Sequence, residues 1–276
     1  MRQGMEKGAD DFLVKPFTRE ELLAAIDAQW NKHSMFEKKA QEKIEEVGRT
    51  VTSALPHEFR TVLNQVVGAA KYLNSNPDEV TPEEIKEFTQ DIMSSSERLL
   101  KITENFLVFV RIESFASNPE KKKSLRKFKT DEPCAMIADL ADLKANDNQR
   151  NDDLTVEGYV ENVYLEISTE SLHKIVTELI DNAFNFSEKG SPVKVSMWRD
   201  ADLLYTSIKD EGRGMSKEQI TGVGAYVQFE RTIYEQQGVG LGLVISKRLV
   251  ELHDGDFNIE SEEGKGTNVT FGIPCH

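Results

Sequence analysis

The sequence predicts an α+β protein, in which a long helical hairpin forms a dimeric four-helix bundle and an α/β sandwich follows it. Two observations predict this fold class. Apolar residues recur at helical spacing through the first part of the chain, and helical and alternating segments interleave from Pro133 onward. The chain has 276 residues, which at roughly 100–200 residues per domain suits two domains with connecting elements.

Composition excludes several functional classes. The chain has 48 acidic and 34 basic residues, and its net charge of −14 makes nucleic acid an unfavourable partner. No apolar run approaches the ~20 residues of a membrane-spanning helix, and the polar start is no signal peptide, so we expect a cytoplasmic protein without a membrane segment. Cys134 and Cys275 lie far apart and are expected to be free thiols, not zinc ligands.

The first element predicted is a short strand at residues 11–16, which ends in Lys15-Pro16. Thr18 then caps a helix, because Glu21 three residues later completes a capping box. The apolar spacing of this helix slips between Trp30 and Phe36, which indicates a change from a globular piece to a coiled coil. We therefore divide the beginning of the chain into residues 1–30 and 31–50.

The hairpin follows. An apolar stripe runs from Ile44 to Leu73, and a turn at residues 74–82 breaks it before a second, very regular helix. Eight positions at steps of three and four form the stripe of this second helix: Ile85, Phe88, Ile92, Ser95, Leu99, Ile102, Phe106 and Phe109. A single hairpin leaves these stripes half covered, so two hairpins are expected to pair as a homodimer.

Residues 116–132 are polar and locally basic, and we interpret them as a solvated linker. From residue 133 a mixed sheet with helices on one face is expected. Predicted helices cover about residues 133–146, 169–186 and 240–253. Predicted strands contain Val163/Leu165/Ile167, Val193/Val195/Met197, Phe257/Ile259 and Val269/Phe271/Ile273.

His57 is the first candidate for chemistry, because it lies beside the apolar stripe and not in it. Glu58 and Thr61 are close enough in sequence to reach the same helix surface. An imidazole next to a carboxylate can act as a nucleophile while the carboxylate takes the ring proton. By itself this pattern is most often ordinary surface.

A second set of candidates lies on a predicted helix. Glu178, Asn182 and Asn185 repeat at i, i+4 and i+7, and their oxygens can hold a hard cation such as Mg²⁺ together with phosphates. Asp210 ends a strand, and an ionised carboxylate there can accept a hydrogen bond from an amino group such as that of adenine. We expect Gly212 and Gly214 to let a ligand approach the backbone closely.

Two further glycine motifs follow. Gly238, Gly240 and Gly242 open an apolar helix, and a glycine turn before a helix N-terminus is an anion site. A dinucleotide-binding fingerprint is excluded because the preceding residues are polar and not a strand. Gly266 and Thr267 lead into the last strand and would by themselves indicate only a hairpin turn.

Together, these motifs resemble the transmitter of a two-component sensor histidine kinase over about residues 45–276. The resemblance rests on an H-box around His57, an N-box around Asn182 and three glycine boxes. It implies a dimerisation and phosphotransfer hairpin at 51–115, a linker at 116–132 and a Bergerat-type ATP-binding domain at 133–276. Residues 8–26 also resemble the last strand and helix of a receiver domain, with Lys15 as the signature lysine, as in a truncated hybrid kinase. This remnant is not expected to accept phosphate.

The resemblance also implies roles for single residues. His57 would be the phosphorylated histidine, Glu58 its acidic helper, and Thr61 the residue that orients water when a partner regulator is dephosphorylated. Asn182 and Glu178 would hold magnesium. The implied nucleotide-binding residues are Asn182, Asn185, Asp210, Gly212, Gly214, Gly238, Gly240, Gly242, Gly266 and Thr267, with Phe229 as a loose match to the phenylalanine box.

The sequence departs from the family pattern at two points. Asn185 replaces a common basic residue, so Lys247 or Arg248 would have to meet phosphate charge. Val62 replaces a common proline, and Pro56 instead predicts a bend just before His57.

The expected function is that of an ATP- and Mg²⁺-dependent histidine kinase, which autophosphorylates His57 and passes the phosphoryl group to a response-regulator aspartate. Two alternatives stay open at this stage. One is a Bergerat-fold ATPase of the chaperone, gyrase or mismatch-repair kind, with Glu178 activating water. The other is a degenerate kinase that serves only as a scaffold.

Overall fold

The computed structural model describes residues 17–20, 22–24, 27, 55–76, 79–125, 127–224 and 241–276. The chain divides into two compact units, Met1–Thr52 and Ser53–His276. In the first unit, helix is described within residues 19–27, after Thr18. The predicted strand at 11–16, the coiled coil at 31–50, and Phe229, Gly238 and Gly240 lie outside the described residues. All elements below belong to the second unit.

The helical hairpin consists of α1 (Leu55–Ser75) and α2 (Pro82–Ala116). Helix α2 starts with a capping box, in which the Glu84 N–H donates to Thr81 Oγ1 at 3.2 Å and the Thr81 N–H donates to Glu84 Oε2 at 2.8 Å. These bonds satisfy two groups that an uncapped N-terminus would leave open. The predicted hairpin and its turn are confirmed. The structure describes α1 only from Leu55, the residue before Pro56, so the bend predicted just before His57 falls at the edge of the described residues and stays a prediction.

The predicted linker at 116–132 is more ordered than its polar composition indicated. It contains α3 (Pro119–Leu125) and β1 (Thr130–Asp131), which pairs antiparallel with β3 (Tyr164–Leu165). The Asn118 side chain accepts the N–H groups of Glu120 and Lys121 at 3.0 and 3.1 Å, which starts the short helix. Thr130 is buried and donates to the Ile167 carbonyl at 2.8 Å. Local capping and one buried threonine therefore hold part of this segment in place.

The remaining elements build an α/β layer. The helices are α4 (Pro133–Asp147), α5 (Thr169–Phe186), α6 (Lys217–Gly224) and α7 (Leu241–Leu252), with a 3₁₀ turn at Asn151–Asp153. The strands are β2 (Leu154–Glu157), β4 (Val193–Asp200), β5 (Leu203–Asp210), β6 (Asp256–Glu262) and β7 (Gly266–Pro274). They form a five-stranded sheet in the order β2-β4-β5-β7-β6.

The sheet is mixed, as predicted, because β2 and β4 are parallel and all its other pairs are antiparallel. Register places Val195, Ile208 and Val269 side by side on one buried face, which α4, α5 and α7 cover. Trp198 and Tyr205 stack at 5.5 Å and belong to the opposite face, where Trp198 is exposed. The prediction of helices on one face is thus confirmed.

One predicted strand is shorter than expected. The apolar alternation at Val163, Leu165 and Ile167 corresponds to β3, which pairs with β1 and is not part of the main sheet. These three side chains are buried, and Leu165 also forms an isolated antiparallel bridge with Cys275 just after β7, so the predicted strand is present but short. Cys134 and Cys275 are buried free cysteines, as expected.

Candidate functional site

The predicted phosphoacceptor group lies near the start of helix α1. The backbone of His57, Glu58 and Thr61 is helical, so His57 and Thr61 are one turn apart. Thr61 is exposed, whereas the side chains of His57 and Glu58 lie outside what the structure describes. The backbone is therefore consistent with the predicted shared face.

Asp210 is the centre of the second candidate site. It is the last residue of β5, pairs in register with Val193 and Thr267 on the neighbouring strands, and is 5% exposed. Its Oδ1 accepts the Gly212 N–H at 2.8 Å. Burial raises the pKa of its carboxyl above the ordinary 3.8, while hydrogen bonds from the Gly212 and Thr267 backbones and the charge of Arg150 partly oppose that rise.

The glycines near Asp210 are required by the protein's own packing. A Cβ on Gly212 would lie 2.0 Å from the Phe186 carbonyl oxygen, and one on Gly214 would lie 2.0 Å from that of Glu262. Gly266 has a φ of +95° and approaches the Asp210 carbonyl, which a Cβ would meet at 2.1 Å. Close backbone packing therefore explains Gly212 and Gly214 without a ligand, and the expectation that they let a ligand approach stays a prediction.

The predicted cation-binding face lies on α5, which Ser168 caps by accepting the Ser171 N–H at 3.2 Å. Asn182 is half-buried and Asn185 is exposed, so both are accessible. Glu178 is buried, and its carboxylate accepts Lys174 Nζ at 2.7 Å and lies 4.0 Å from Lys101 Nζ. In this conformation the carboxylate of Glu178, the predicted metal ligand, is therefore already paired with lysine side chains.

Mg²⁺ still fits this site through fewer protein ligands. Among the described residues, no group of three or more His, Cys, Asp or Glu could hold a metal ion. Mg²⁺ in nucleotide sites commonly takes one or two protein ligands and completes its shell with water and phosphate. The accessible Asn182 amide oxygen matches that need, and the role of Glu178 as a metal ligand stays a prediction.

Helix α7 adds the remaining described glycine of the site. The structure describes α7 from Leu241, and a Cβ on Gly242 would lie 2.1 Å from Glu178 Oε2. Gly242 therefore lets this part of α7 pack directly on α5. Thr267 lies at the start of β7, with its hydroxyl 2.9 Å from that of Ser261.

The basic residues expected to compensate for Asn185 have other partners. Arg248 lies 3.5 Å from Glu113 on α2 and donates to Glu251 at 2.7 Å. Lys247 Nζ lies 4.0 Å from Glu251. Arg248 is thus engaged by two carboxylates and Lys247 lies near one, and the prediction that either cation meets phosphate charge stays a prediction.

A polar contact between α2 and α5 was not anticipated from the sequence. Lys101 Nζ donates to Asp181 at 3.0 Å, and Lys174 Nζ donates to Asn105 at 2.6 Å. Lys144 on α4 also contacts Asp181 at 3.0 Å. No local motif marks these residues, because their partners lie about 70 or 80 positions away for the two α2–α5 bonds.

Arg150 is the other residue that sequence reasoning missed. It lies in a polar stretch typical of an ordinary loop, yet it is buried and makes five hydrogen bonds, to Asp153 and to groups at and after the end of α5. A lone arginine among polar residues carries no pattern that predicts burial.

Comparison with known protein families assigns both parts of the described fold. Residues 49–115 match the His Kinase A (phospho-acceptor) domain, and residues 168–276 match the histidine kinase-, DNA gyrase B-, and HSP90-like ATPase family. A phospho-acceptor domain followed by an ATPase domain of this family is the domain order of a histidine kinase transmitter. A gyrase- or chaperone-type ATPase is disfavoured because the phospho-acceptor domain precedes the ATPase domain.

Curated relatives agree with this class. The chain is 28% identical over 237 residues to the sensor histidine kinase YvrG of Bacillus subtilis, covering 85% of this chain and 40% of YvrG. It is 27% identical over 243 residues to the sensor protein SrrB of Staphylococcus aureus, covering 85% of this chain and 39% of SrrB. The chain thus spans about two fifths of the length of these relatives.

Two solved structures share the fold. One is histidine kinase ThkA in complex with response regulator protein TrrA, with a TM-score of 0.62, 17% identity, and coverage of 88% of this chain and 66% of ThkA. The other is Acinetobacter baumannii histidine kinase AdeS, with a TM-score of 0.57, 16% identity, and coverage of 79% and 97%. Within the described residues, no helix has the length and apolar character that crossing a membrane requires.

Proposed function

We propose that this protein is an ATP-dependent protein-histidine kinase, which phosphorylates its own His57 and then transfers the phosphoryl group to an aspartate of a response-regulator receiver domain. The observation that carries the proposal is the buried Asp210 carboxylate at the end of β5, on the same chain as the phosphoacceptor helix α1. An acceptor-only carboxylate at the end of a strand, beside glycine turns, suits the amino group of adenine.

The nucleotide-binding role divides between two ends of the domain. Asp210 would accept from the adenine amino group, and Asn182 and Asn185 on α5 would contact the phosphates. Gly238 and Gly240 belong to the same phosphate-side loop by sequence. Asn182 would hold Mg²⁺, which when bound neutralises charge on the phosphates during transfer.

The phosphoryl transfer uses residues of helix α1. The unprotonated ring nitrogen of His57 attacks the γ-phosphorus, so that a P–N bond forms as the bond to the β-phosphate oxygen breaks and ADP leaves. Glu58 takes the proton from the other ring nitrogen. Because this chemistry needs mainly positioning and electrostatics, loss of Asp210 or Asn182 should remove activity without unfolding the hairpin.

The second step requires a receiver domain. ThkA, the neighbour with the same fold, was solved with a response regulator, which supports a partner of this type for the present chain. Thr61 lies one turn from His57 and would orient water for hydrolysis of the regulator's aspartyl phosphate, which gives a phosphatase activity. A cytoplasmic location follows from the need to meet such a regulator and ATP.

We also propose that the chain works as a homodimer. In one chain, most residues of the predicted α2 stripe are half-buried against the rest of the hairpin, although Ile85 is exposed. A different apolar set is open to solvent on the hairpin: Leu63, Val67, Met93, Leu100 and Leu107. On α2 these residues repeat every seven positions, which is the spacing of a helix–helix seam. A second hairpin would cover this face.

The central experiment is incubation of the protein with γ-labelled ATP and Mg²⁺. We expect an acid-labile, base-stable phosphate, which is lost in His57→Gln and retained in the control His276→Gln, because His276 is exposed at the chain end and contacts Glu166. Adenosine binding by His57→Gln should remain. Undiminished labelling of His57→Gln would refute the assignment, and so would wild-type protein that binds nucleotide but never labels, which is the scaffold alternative.

A further inference from the structure

Arg150 is a buried cation whose donors are all directed at backbone or side-chain oxygens of the ATP-binding domain. It is 5% exposed and precedes the 3₁₀ turn Asn151–Asp153. Its Nε donates to Asp153 Oδ2 at 2.6 Å, and the Arg150 charge lies 5.0 Å from the centre of the Phe184 ring. A charge removed from water this completely needs such partners to be tolerated.

The other partners of Arg150 are at the C-terminal end of α5. Nη1 donates to the carbonyls of Phe184 and Ser187, both at 3.0 Å, and to Ser187 Oγ at 2.9 Å. Nη2 donates to the Ser191 carbonyl at 2.8 Å. The last carbonyls of a helix lack partners within it, and a positive charge at that end is favourable. Because the last turn of α5 has no basic residue of its own, Arg150 supplies this charge from outside the helix.

Asp153 extends the same network to the loop before β4. Its Oδ2 also accepts the Gly190 N–H at 2.9 Å. Hydrogen bonds from Arg150 and the Gly190 backbone lower the pKa of the Asp153 carboxyl. The loop between α5 and β4 is thus held at both the Ser191 carbonyl and the Gly190 N–H.

The end of α5 is in turn packed against the turn that follows Asp210. The Phe186 carbonyl accepts the Arg213 N–H at 3.0 Å, and the Arg213 guanidinium lies 4.3 Å from the centre of the Phe186 ring. Gly212 permits this contact, because a Cβ there would meet the same carbonyl oxygen. Any shift of the α5 end therefore moves the backbone that donates to Asp210.

We infer that Arg150 is a positioning residue for the nucleotide: it fixes the C-terminal end of α5 against the Asp210 turn and so sets the spacing between the adenine and phosphate ends of the site. This inference rests on the proposed function, because it assigns the adenine to Asp210 and the phosphates to Asn182 and Asn185. Arg150 does not touch the nucleotide and acts through α5 and the turn.

A positioning role has a distinct kinetic signature. Loss of Arg150 weakens binding of the nucleotide equally in the ground state and the transition state, which raises KM for ATP and leaves kcat nearly unchanged. A purely structural role would instead lower the fraction of folded enzyme, and thus the apparent kcat, at an unchanged KM.

The test compares Arg150→Gln and Arg150→Lys with the control Arg199→Gln in the full chain. Arg199 is exposed on β4, and its Nε donates to the Ala201 carbonyl at 3.2 Å. We expect Arg150→Gln to weaken ADP binding by about tenfold and adenosine binding by less, because adenosine occupies only the adenine end. Arg150→Lys should lie between Arg150→Gln and wild type, and Arg199→Gln should match wild type. Autophosphorylation by Arg150→Lys should show the raised KM with kcat within about threefold of wild type.

Unchanged ADP and adenosine dissociation constants in Arg150→Lys would overturn the inference. If Arg150→Gln fails to fold, the result for Arg150→Lys alone tests the inference. A fall in kcat at constant KM would also overturn it. Binding of ADP does not require phosphorylation of His57, so the binding test of Arg150 is independent of the proposed kinase activity. A wild-type protein that binds ADP but is never phosphorylated would refute the proposed function, and the role of Arg150 could still be tested.

Discussion

Asp210 combines two properties that a purely structural aspartate does not need. It is buried at the end of a strand, and it is positioned by two backbone N–H donors and a nearby arginine that favour its ionised form. Burial disfavours the charge, and here burial is the larger influence on the pKa. The ionised carboxylate is therefore positioned to accept a hydrogen bond, although keeping it ionised in a buried site lowers the stability of the folded domain.

This balance predicts how nucleotide binding depends on pH. Since the pKa of Asp210 is raised in the folded domain, the folded protein takes up its proton at a pH above the ordinary 3.8. Adenosine affinity should therefore fall on acidification while ordinary aspartates are still ionised, and Asp210→Asn should bind more weakly with a flatter profile. Calorimetry with adenosine, which has no titrating phosphate, from about pH 7.5 down to about pH 4 measures this. An identical pH profile in Asp210→Asn would contradict it.

The raised pKa of Asp210 also predicts how the stability of the nucleotide-free domain changes with pH. The unfolded chain releases the Asp210 proton at lower pH than the folded domain, so this group lowers the free energy of unfolding as pH rises through its folded pKa. Bound nucleotide favours the ionised form and should offset that loss.

Gly266 provides a second test at the residue scale. Gly266→Ala would combine a φ of +95° with a Cβ 2.1 Å from the Asp210 carbonyl oxygen, and should lower the free energy of unfolding by roughly 2–4 kcal/mol. Gly264→Ala is the matched control in the same turn, because it has a φ of +76° but open space around the Cβ. The control should lose about 1–2 kcal/mol. Equal losses in urea unfolding would show that the close contact is unimportant.

Thr61 separates the two activities proposed for helix α1. Thr61→Ala should slow dephosphorylation of a phosphorylated regulator much more than autophosphorylation, because only the former must position a water. Removal of one exposed hydroxyl should change stability by less than ~0.5 kcal/mol, so misfolding would not explain the loss. Both rates can be followed with a labelled regulator. Parallel loss of both rates, or of neither, would leave Thr61 as an ordinary surface residue.

At the scale of elements, α2 uses different faces for different neighbours. One face packs on α1, where the rings of Phe88 and Tyr72 lie 4.7 Å apart. A second face contacts the ATP-binding domain through Asn105 and Glu113, both of which are buried. A third face leaves Leu100 and Leu107 in solvent. One regular helix thus connects the hairpin, the ATP-binding domain and the proposed dimer surface.

The contact between α2 and α5 predicts an effect of Lys101. Its side chain is 48% exposed, so its ion pairs are worth at most about 1 kcal/mol. Lys101→Met should therefore shift the equilibrium between docked and released ATP-binding domain by up to about fivefold. The measurement is the rate of tryptic cleavage within residues 117–132, which connect the two parts. Lys86→Met, on an exposed part of α2, is the control, and a wild-type rate in Lys101→Met would argue against the contact.

At the scale of the whole molecule, the exposed hairpin face predicts a specific dimer surface. Leu100→Asp with Leu107→Asp should yield monomers in sedimentation and keep the hairpin intact, because both leucines are about 60% exposed in one chain. Leu143→Asp is the control, since Leu143 is exposed on α4 of the ATP-binding domain. The sequence alone pointed to Leu99 and Ile102, which are half-buried within the hairpin, so changing them would also disturb the single chain. A dimer that survives the Leu100/Leu107 double change would place the interface elsewhere.

The elements that could be predicted from the sequence are those whose signals are local. Helical spacing predicted α1 and α2, a capping box marked the start of α2, and alternation marked β4, β6 and β7. Asp210 and the glycine motifs could be selected because their residue types are informative within a few positions. Each of these features depends on neighbours in the chain, which is why the sequence shows them.

Only the tertiary structure decided which distant residues meet. It placed Arg150 against the end of α5, engaged Glu178 with Lys174 and Lys101, and showed that the glycines around Asp210 accommodate the chain's own backbone. It also showed which apolar face of α2 is left over after α1 has packed against it. The physical reason is common to all of these: burial, ion pairing and close backbone contact depend on packing between elements far apart in sequence, and local patterns carry no record of that packing.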